Sequence, residues 1–576
     1  MRKFVLFTSI LFVIQVDAQK LATPFENSNG LETSTYFQCM NFYKQLDQQS
    51  KQVSIKVMGM SDAGYPYHLV LYSSDAKFEP SVWRRQNKLV ILVINGIHPG
   101  EPDGVDASML LLRDAVAGKI KIPDNIVLAI IPIYNIGGAL NRNSYSRVNQ
   151  DGPVSYGFRG NSQNLDLNRD FTKNDSRDAK SFATIFHWLN PDVQLDNHVS
   201  DGADHQYTMT LITTQWNKLG EASGNFIHNQ FQPALYKSMA SKGWPMCPYV
   251  NFEEGDTEKG WEEFYDSPRY SSGYAALFHV FSFISETHML KPFKDRVRST
   301  YSLMQSIIEF SSQHAREIHE KRKYDIQHDL VQTDFDLKWK VDGSRFDSIL
   351  FKGYAAKYKT SEITGHPRLY YDHQMPFEKN VKYFNYYKGY DPVISPEVYI
   401  IPQGWHDVID LLKLNEVEMS RLPKDTLMEV ETYHIDSFKS GSIPYEKHHR
   451  NEGVKISKKL QRIQFLEGDY IIPTNQPAKR FLIEMLEPES NDSYFSWNFF
   501  DAILQQKESY SNYRWEDVAV AYVGRHPELK KQLEEKKNAD SAFAKDPSAQ
   551  LEFIYRNSPY YEPAHMRYPV FRIVRQ

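Results

Sequence analysis

A chain of 576 residues is too long for a single hydrophobic core, so two or more domains are expected. Its apolar (41%) and charged (24%) fractions are those of an ordinary soluble globular protein, and a net charge of −5 gives no electrostatic case for nucleic acid or an anionic membrane. The two cysteines, Cys39 and Cys247, form no metal site by themselves, and the sequence leaves open whether they pair.

The chain begins with the basic Met1-Arg2-Lys3 and an apolar run over 4–16, followed by Val16-Asp17-Ala18 before Gln19. This pattern predicts a secretory signal peptide over 1–18, cleaved after Ala18, and hence an exported protein, secreted or periplasmic. No Cys immediately follows the cleavage point to carry a lipid, and no later run is apolar enough to span a bilayer. Residues 33–48 read as an amphipathic helix capped by Thr33-Ser34, and 53–58 and 67–72 as strands joined at Asp62-Ala63-Gly64.

Residues 89–94, all apolar, read as a strand buried on both faces. The stretch Asn95-Gly96-Ile97-His98-Pro99-Gly100-Glu101-Pro102 follows it, and an apolar-periodic helix begins just after. His98 and Glu101 thus stand at the carboxyl end of a buried strand, where open α/β sheets place their sites. Their imidazole and carboxylate can reach one ion, a combination zinc accepts. On its own, His-x-x-Glu also fits a polar loop with a helix-entry Glu.

Residues 126–133 are a second apolar strand, and 135–169 a long polar segment of the kind that is usually functional. Helices are expected at 179–189, 219–239 and 293–320, and strands at 193–197, 207–213 and 279–284. This alternation predicts an α/β domain over 19–325, with a mixed, largely parallel sheet flanked by helices. Short strand-like runs dominate 326–576, predicting a β-rich C-terminal region of one or two modules, with a helix near 407–414 and a solvated charged helix at 528–537. His448-His449 and the aromatics Tyr494, Phe495, Trp497, Phe499 and Phe500 read as surface and core.

Two more strand ends carry polar residues, His198 after 193–197 and Glu286 after 279–284. His98, Glu101 and His198 make a His₂Glu set, which leaves a fourth position for water, as in catalytic zinc sites. His205 competes for the third place, but it follows a flexible turn. Glu286 then stands where a general base belongs, although it could also be a satisfied buried carboxylate. The polar loop contributes Arg159, Asn168 and Arg169, whose forks and amide suit a carboxylate or an oxyanion. Arg169 could instead staple the loop through Asp166 or Asp170, and His288 reads as a supporting histidine.

In order and spacing, His98-Pro99-Gly100-Glu101, Arg159, Asp166-Leu167-Asn168-Arg169, His198 and Glu286 resemble the zinc carboxypeptidases of the carboxypeptidase A type, the M14 metallocarboxypeptidases. The resemblance covers roughly residues 25–325. It implies one Zn²⁺ per chain on His98, Glu101 and His198. It implies that Arg159 polarises the scissile carbonyl, that Asn168 and Arg169 hold the free C-terminal carboxylate of a peptide substrate, and that Glu286 activates water. Asp170 departs from the family, where many relatives have Asn. Tyr265, Tyr270 and Tyr274 all lie where the family's substrate-capping Tyr could be. Two further readings stand beside a carboxypeptidase: a related zinc amidase or esterase acting on cell-wall peptides or N-acyl amino acids, and a catalytically silent peptide-binding protein on the same scaffold.

Overall fold

The computed structural model describes residues 21–252 and 257–574, so the expected signal peptide lies outside the described residues. The main sheet contains β1 Val53–Met60, β2 Pro66–Ser73, β3 Leu89–Asn95, β4 Ile126–Ile131, β5 Val193–Ser200, β6 Met209–Thr213, β7 Met246–Pro248 and, after the short β8 Trp261–Glu262, β9 Phe281–His288. Their order across the sheet is β1-β2-β4-β3-β5-β9-β6-β7. The central strands β4, β3, β5 and β9 run parallel, while β1, β2 and β6 join antiparallel. Every residue of β3, β4 and β5 is buried, as expected for parallel strands covered on both faces. The fold is therefore the expected mixed, largely parallel α/β sheet with helices on its faces.

Alternation along β5 separates the two faces. On one face, Asn197 joins Asn95 and Ser285 in a buried chain of hydrogen bonds that ends at Ser108 on the helix Asp103–Val116. On the other, Gln194, Asp196 and His198 look toward the helix Ser271–Ala276. Gly104 lets the helix Asp103–Val116 approach the first face closely, because a Cβ there would run into Asn197 and Asn95 Oδ1. Gly104→Ala should therefore cost about 1–3 kcal/mol of stability, read as a lower urea midpoint with unchanged slope. An unshifted midpoint would show that the helix can retreat at no cost.

Several expectations shift. The cap of the first long helix, Tyr36–Gln49, is Thr35 rather than Thr33-Ser34; those two instead bond Asp106 through their side chains. The helix expected over 219–239 is interrupted by a π-helical turn, Ile227–Phe231. The helix expected over 293–320 is two helices, Phe293–Gln313 and Ala315–Val331, which meet at His314. Cys39 and Cys247 are unpaired buried thiols that belong to different apolar clusters.

The C-terminal part is β-rich, as expected, with short strands at 398–401 and 470–473 where the short runs predict them, and it also holds four long strands of 14 to 18 residues. It contains β10 Asp334–Val341, β11 Asp347–Thr360, β12 Pro367–Phe384, β13 Tyr387–Ile394, β14 Val398–Ile401, β15 Ser420–Arg421, β16 Thr426–Ser440, β17 Asn451–Phe465, β18 Tyr470–Pro473 and β19 Phe571–Ile573. The β11–β12 hairpin adds to β8 through Tyr383 and Trp261, tying this part to the first. A six-stranded sheet, β15-β18-β14-β19-β16-β17, includes the long β16–β17 hairpin. Between β18 and β19 lies a helical module not expected from the sequence, with its own core of Trp515, Leu529, Leu533, Phe543 and Ile554. The expected charged helix at 528–537 falls within its Pro527–Ala539 helix.

Candidate metal and peptide site

Gly96, at a left-handed φ of +63°, turns the chain off the end of β3 so that His98 and Glu101 face back across the sheet's edge. The neighbouring strand, β5, carries His198 two residues before its end, and Glu286 of β9 is its register partner. One atom from each of His98, Glu101 and His198 lies within 4.8 Å of the others, and all three residues are buried. Glu101 Oε2 lies 3.0 Å from His198 Nδ1, and Glu101 Oε1 lies 3.2 Å from His98 Nδ1. His205 is elsewhere, its ring edge-on to His288 at 4.7 Å between centroids.

The donor set fits a metal cation. His98 Nδ1 is buried without a hydrogen-bond partner, while its Nε2 meets Asp166 Oδ1 at 2.9 Å. His198 is arranged alike, with Nδ1 toward Glu101 and Nε2 3.0 Å from Asp196, which Ser271 also bonds. A carboxylate behind each ring fixes the tautomer that turns Nδ1 inward, as in the outer shell of His-ligated metals. Burial alone would lower the His198 pKa, but Asp196 and Glu101 reverse this and raise it well above the ordinary value. Burial raises Glu101, but Arg147 and the two histidines outweigh it and hold the carboxyl well below its usual range. Asp196 and Glu101 thus place negative charge around His198 that a bound cation would also relieve.

The cleft above these residues has a volume of about 310 Å³. Arg159, Asn168 and Arg169 line one side, and Ile212, Phe264 and Ile284 give it apolar wall. Asp166 ties the polar side together: it binds His98, takes Arg159 Nη2 at 2.8 Å, and lies 3.9 Å from Arg169 Nη1. Burial pushes Asp166 up, but His98 and the two arginines drive it far down, so it stays ionised. Asn168 Oδ1 is buried without a partner. Arg169 lies over the Tyr270 ring at 4.7 Å. Glu286 lines the cleft, and burial, reinforced by Glu101 and Asp196 against His198 and Arg159, pushes its carboxyl up to about 8.

All seven sequence-predicted residues thus line one cleft. Of the three tyrosines, Tyr270 lines it; Tyr274 is fully buried with its hydroxyl on Asn415, and Tyr265 stacks on Tyr387. Sequence reasoning missed the carboxylates behind the histidines. Asp196 carried a signal, two residues before His198 and hence on the same strand face. It also missed Arg147, which bonds Glu101 and fills the space a side chain at Gly100 would take. No local pattern marked it.

Residues 39–243 match the family model of the zinc carboxypeptidases, Peptidase M14, a span that holds His98 through His198 but not Glu286. Carboxypeptidase 2 of Trichophyton rubrum is 22% identical over 472 residues, covering 75% of this chain and 77% of that protein. Carboxypeptidase 2 of Trichophyton equinum is 21% identical over 469 residues, with the same coverage. An alignment over 75% of the chain cannot be held by residues 1–325 alone, so it includes part of the C-terminal region. Among solved structures, a metallo-carboxypeptidase from Pseudomonas aeruginosa is 12% identical with a TM-score of 0.37, covering 50% of this chain and 70% of its own. Carboxypeptidase A from Helicoverpa armigera is 13% identical with a TM-score of 0.35, covering 50% and 74%. Over residues 39–243 the chain is similar to the zinc carboxypeptidase family, and its relatives named carboxypeptidase support a peptide hydrolase.

Proposed function

We propose that this protein is an exported zinc carboxypeptidase that hydrolyses the C-terminal peptide bond of peptides, with one Zn²⁺ per chain on His98, Glu101 and His198. The catalytic domain is residues 19–325, and 326–576 is a second, β-rich region. The observation that carries the reading is the pairing of a three-ligand set with two arginines, Arg159 and Arg169, and the amide of Asn168 in one cleft. Export rests on the signal-peptide pattern of residues 1–18; no helix among the described residues is long and apolar enough to cross a membrane.

A zinc ion on these ligands supplies Lewis acidity, which polarises a carbonyl and makes a water acidic at neutral pH. Glu286 would take a proton from the attacking water and return it to the departing amine nitrogen. Arg159, held in place by Asp166, donates to the carbonyl oxygen as it gains charge. Asn168 and Arg169 receive the terminal carboxylate, which places the last peptide bond over the site. The apolar wall beside them receives the last side chain.

Arg169→Ala should lower kcat/KM for peptides with a free C-terminus by roughly 10²-fold, since a charge-assisted fork is lost, while C-terminally amidated peptides, which lack the anion, change little. Equal losses on both would turn the reading toward a zinc amidase or endopeptidase. Steady-state kinetics on matched acid and amide peptides decides between them.

A further inference from the structure

The connection between β16 and β17, residues 441–450, reaches across the molecule and ends on the loop that carries Asn168 and Arg169. Tyr445 OH accepts a hydrogen bond from Arg169 Nε at 2.9 Å. Glu446 Oε2 accepts one from the Asp166 backbone N–H at 2.7 Å. His448 Nε2 meets Asp175 Oδ2 at 2.7 Å, at the far end of the same loop. The Tyr445 ring lies parallel to the buried Trp497, whose ring also carries Lys173, Arg269 and Arg450.

The backbone of this turn is unusual. Tyr445 and His448 exchange backbone hydrogen bonds, closing a two-residue hairpin tip. Its central residues, Glu446 and Lys447, both take positive φ, +47° and +77°, where Gly or Asn normally stands. Two non-glycine residues in this conformation persist only where the surroundings over-determine them, and such strain gathers at ligand clamps. Here the surroundings are the contacts to Asp166, Arg169 and Asp175.

We propose that the Tyr445–His448 turn is a positioning element of the carboxylate clamp, with Tyr445 fixing the Arg169 guanidinium and Glu446 fixing the loop that bears it. This rests on the reading of Arg169 as the carboxylate-binding residue. Arg169 is held at Nε by Tyr445, at Nη1 by the Asn168 carbonyl, and on one face by Tyr270. A guanidinium fixed at three points has already lost the freedom that substrate binding would otherwise have to remove, so affinity for the carboxylate rises. The C-terminal region thereby completes the site rather than being carried beside it.

The test uses the full-length, zinc-loaded protein. Tyr445→Phe removes the acceptor and keeps the ring stacked on Trp497. It should raise KM for free-acid peptides about tenfold, with kcat, zinc content and the melting temperature near parent values. Binding of N-acetylphenylalanine, measured by calorimetry without turnover, should weaken by a similar factor, and binding of its amide should not change. Glu446→Ala should also raise KM, whereas Glu446→Gln, which keeps an acceptor for the Asp166 N–H, should restore it. A parent protein that binds the acid while Tyr445→Phe binds it equally well overturns the positioning role alone. A parent protein that binds acid and amide alike overturns both this role and the exopeptidase reading beneath it.

Discussion

His198→Ala is expected to lose zinc and peptidase activity together, with metal content falling from about one ion per chain to near zero. Three protein donors are the minimum of a catalytic zinc site, and His198 supplies one of them from the rigid end of β5. His205 is not placed to replace it, since it packs on His288, and Asp196 Oδ2 lies behind the ring rather than in front of it. His98→Ala should behave in the same way. His205→Ala, by contrast, should keep the ion. Asp196→Asn should keep the ligand but weaken zinc affinity by roughly 10–100-fold, because the group that orients the imidazole and raises its basicity is lost. A second readout is independent of turnover. A ligand that binds only the folded chain stabilises it, so a chelator should lower the parent's melting temperature and leave that of His198→Ala unchanged. Full zinc in purified His198→Ala, with loss in His205→Ala, would mean that the third ligand had been assigned to the wrong histidine.

The legible parts of this molecule are those in which sequence neighbours are also spatial neighbours. The buried strands β3, β5 and β9 announce themselves as apolar runs, and each delivers its polar residue at the strand's carboxyl end, so that three local patterns superpose into one site. His98 and Glu101 share one turn, and Asp166 to Arg169 one loop. What the sequence hid depends on distant partners. The break at His314 falls inside a continuous helical pattern, and the π-helical turn Ile227–Phe231 adds a residue that no period displays. The Tyr445–His448 turn lies some 280 residues from the Asp166 loop that it holds, and only the length of the β16–β17 hairpin brings it there. The helical module is a different case. Trp515, Ala519, Tyr522 and Val523 do recur at helical spacing, but the surrounding strand-like runs masked them.

Glu286→Gln is the most selective probe of the chemistry. Glu286 is the register partner of His198 on the adjacent parallel strand, so its carboxylate emerges beside the ligand set at a distance fixed by the sheet. Burial pushes its carboxyl up to about 8, against the opposing pull of His198 and Arg159. A cation held by His98, Glu101 and His198 would favour its ionised form. Gln keeps the size and hydrogen bonding of the side chain but cannot carry that proton. The variant should therefore fold, hold one zinc ion and bind N-acyl amino acids with nearly parent affinity. Its kcat should fall by about 10²–10⁴, the usual cost of losing a positioned acid–base group, with little change in KM. If zinc-loaded Glu286→Gln turned over peptide near the parent rate, the base would have to be another carboxylate. Asp166 and Asp196 are poor alternatives, because each is already engaged behind a histidine ring. Glu101 is equally poor, because its oxygens face the two histidines and Arg147. The reading of Glu286 as the general base thus rests on its place beside the ligand set and on a carboxyl whose pKa burial raises.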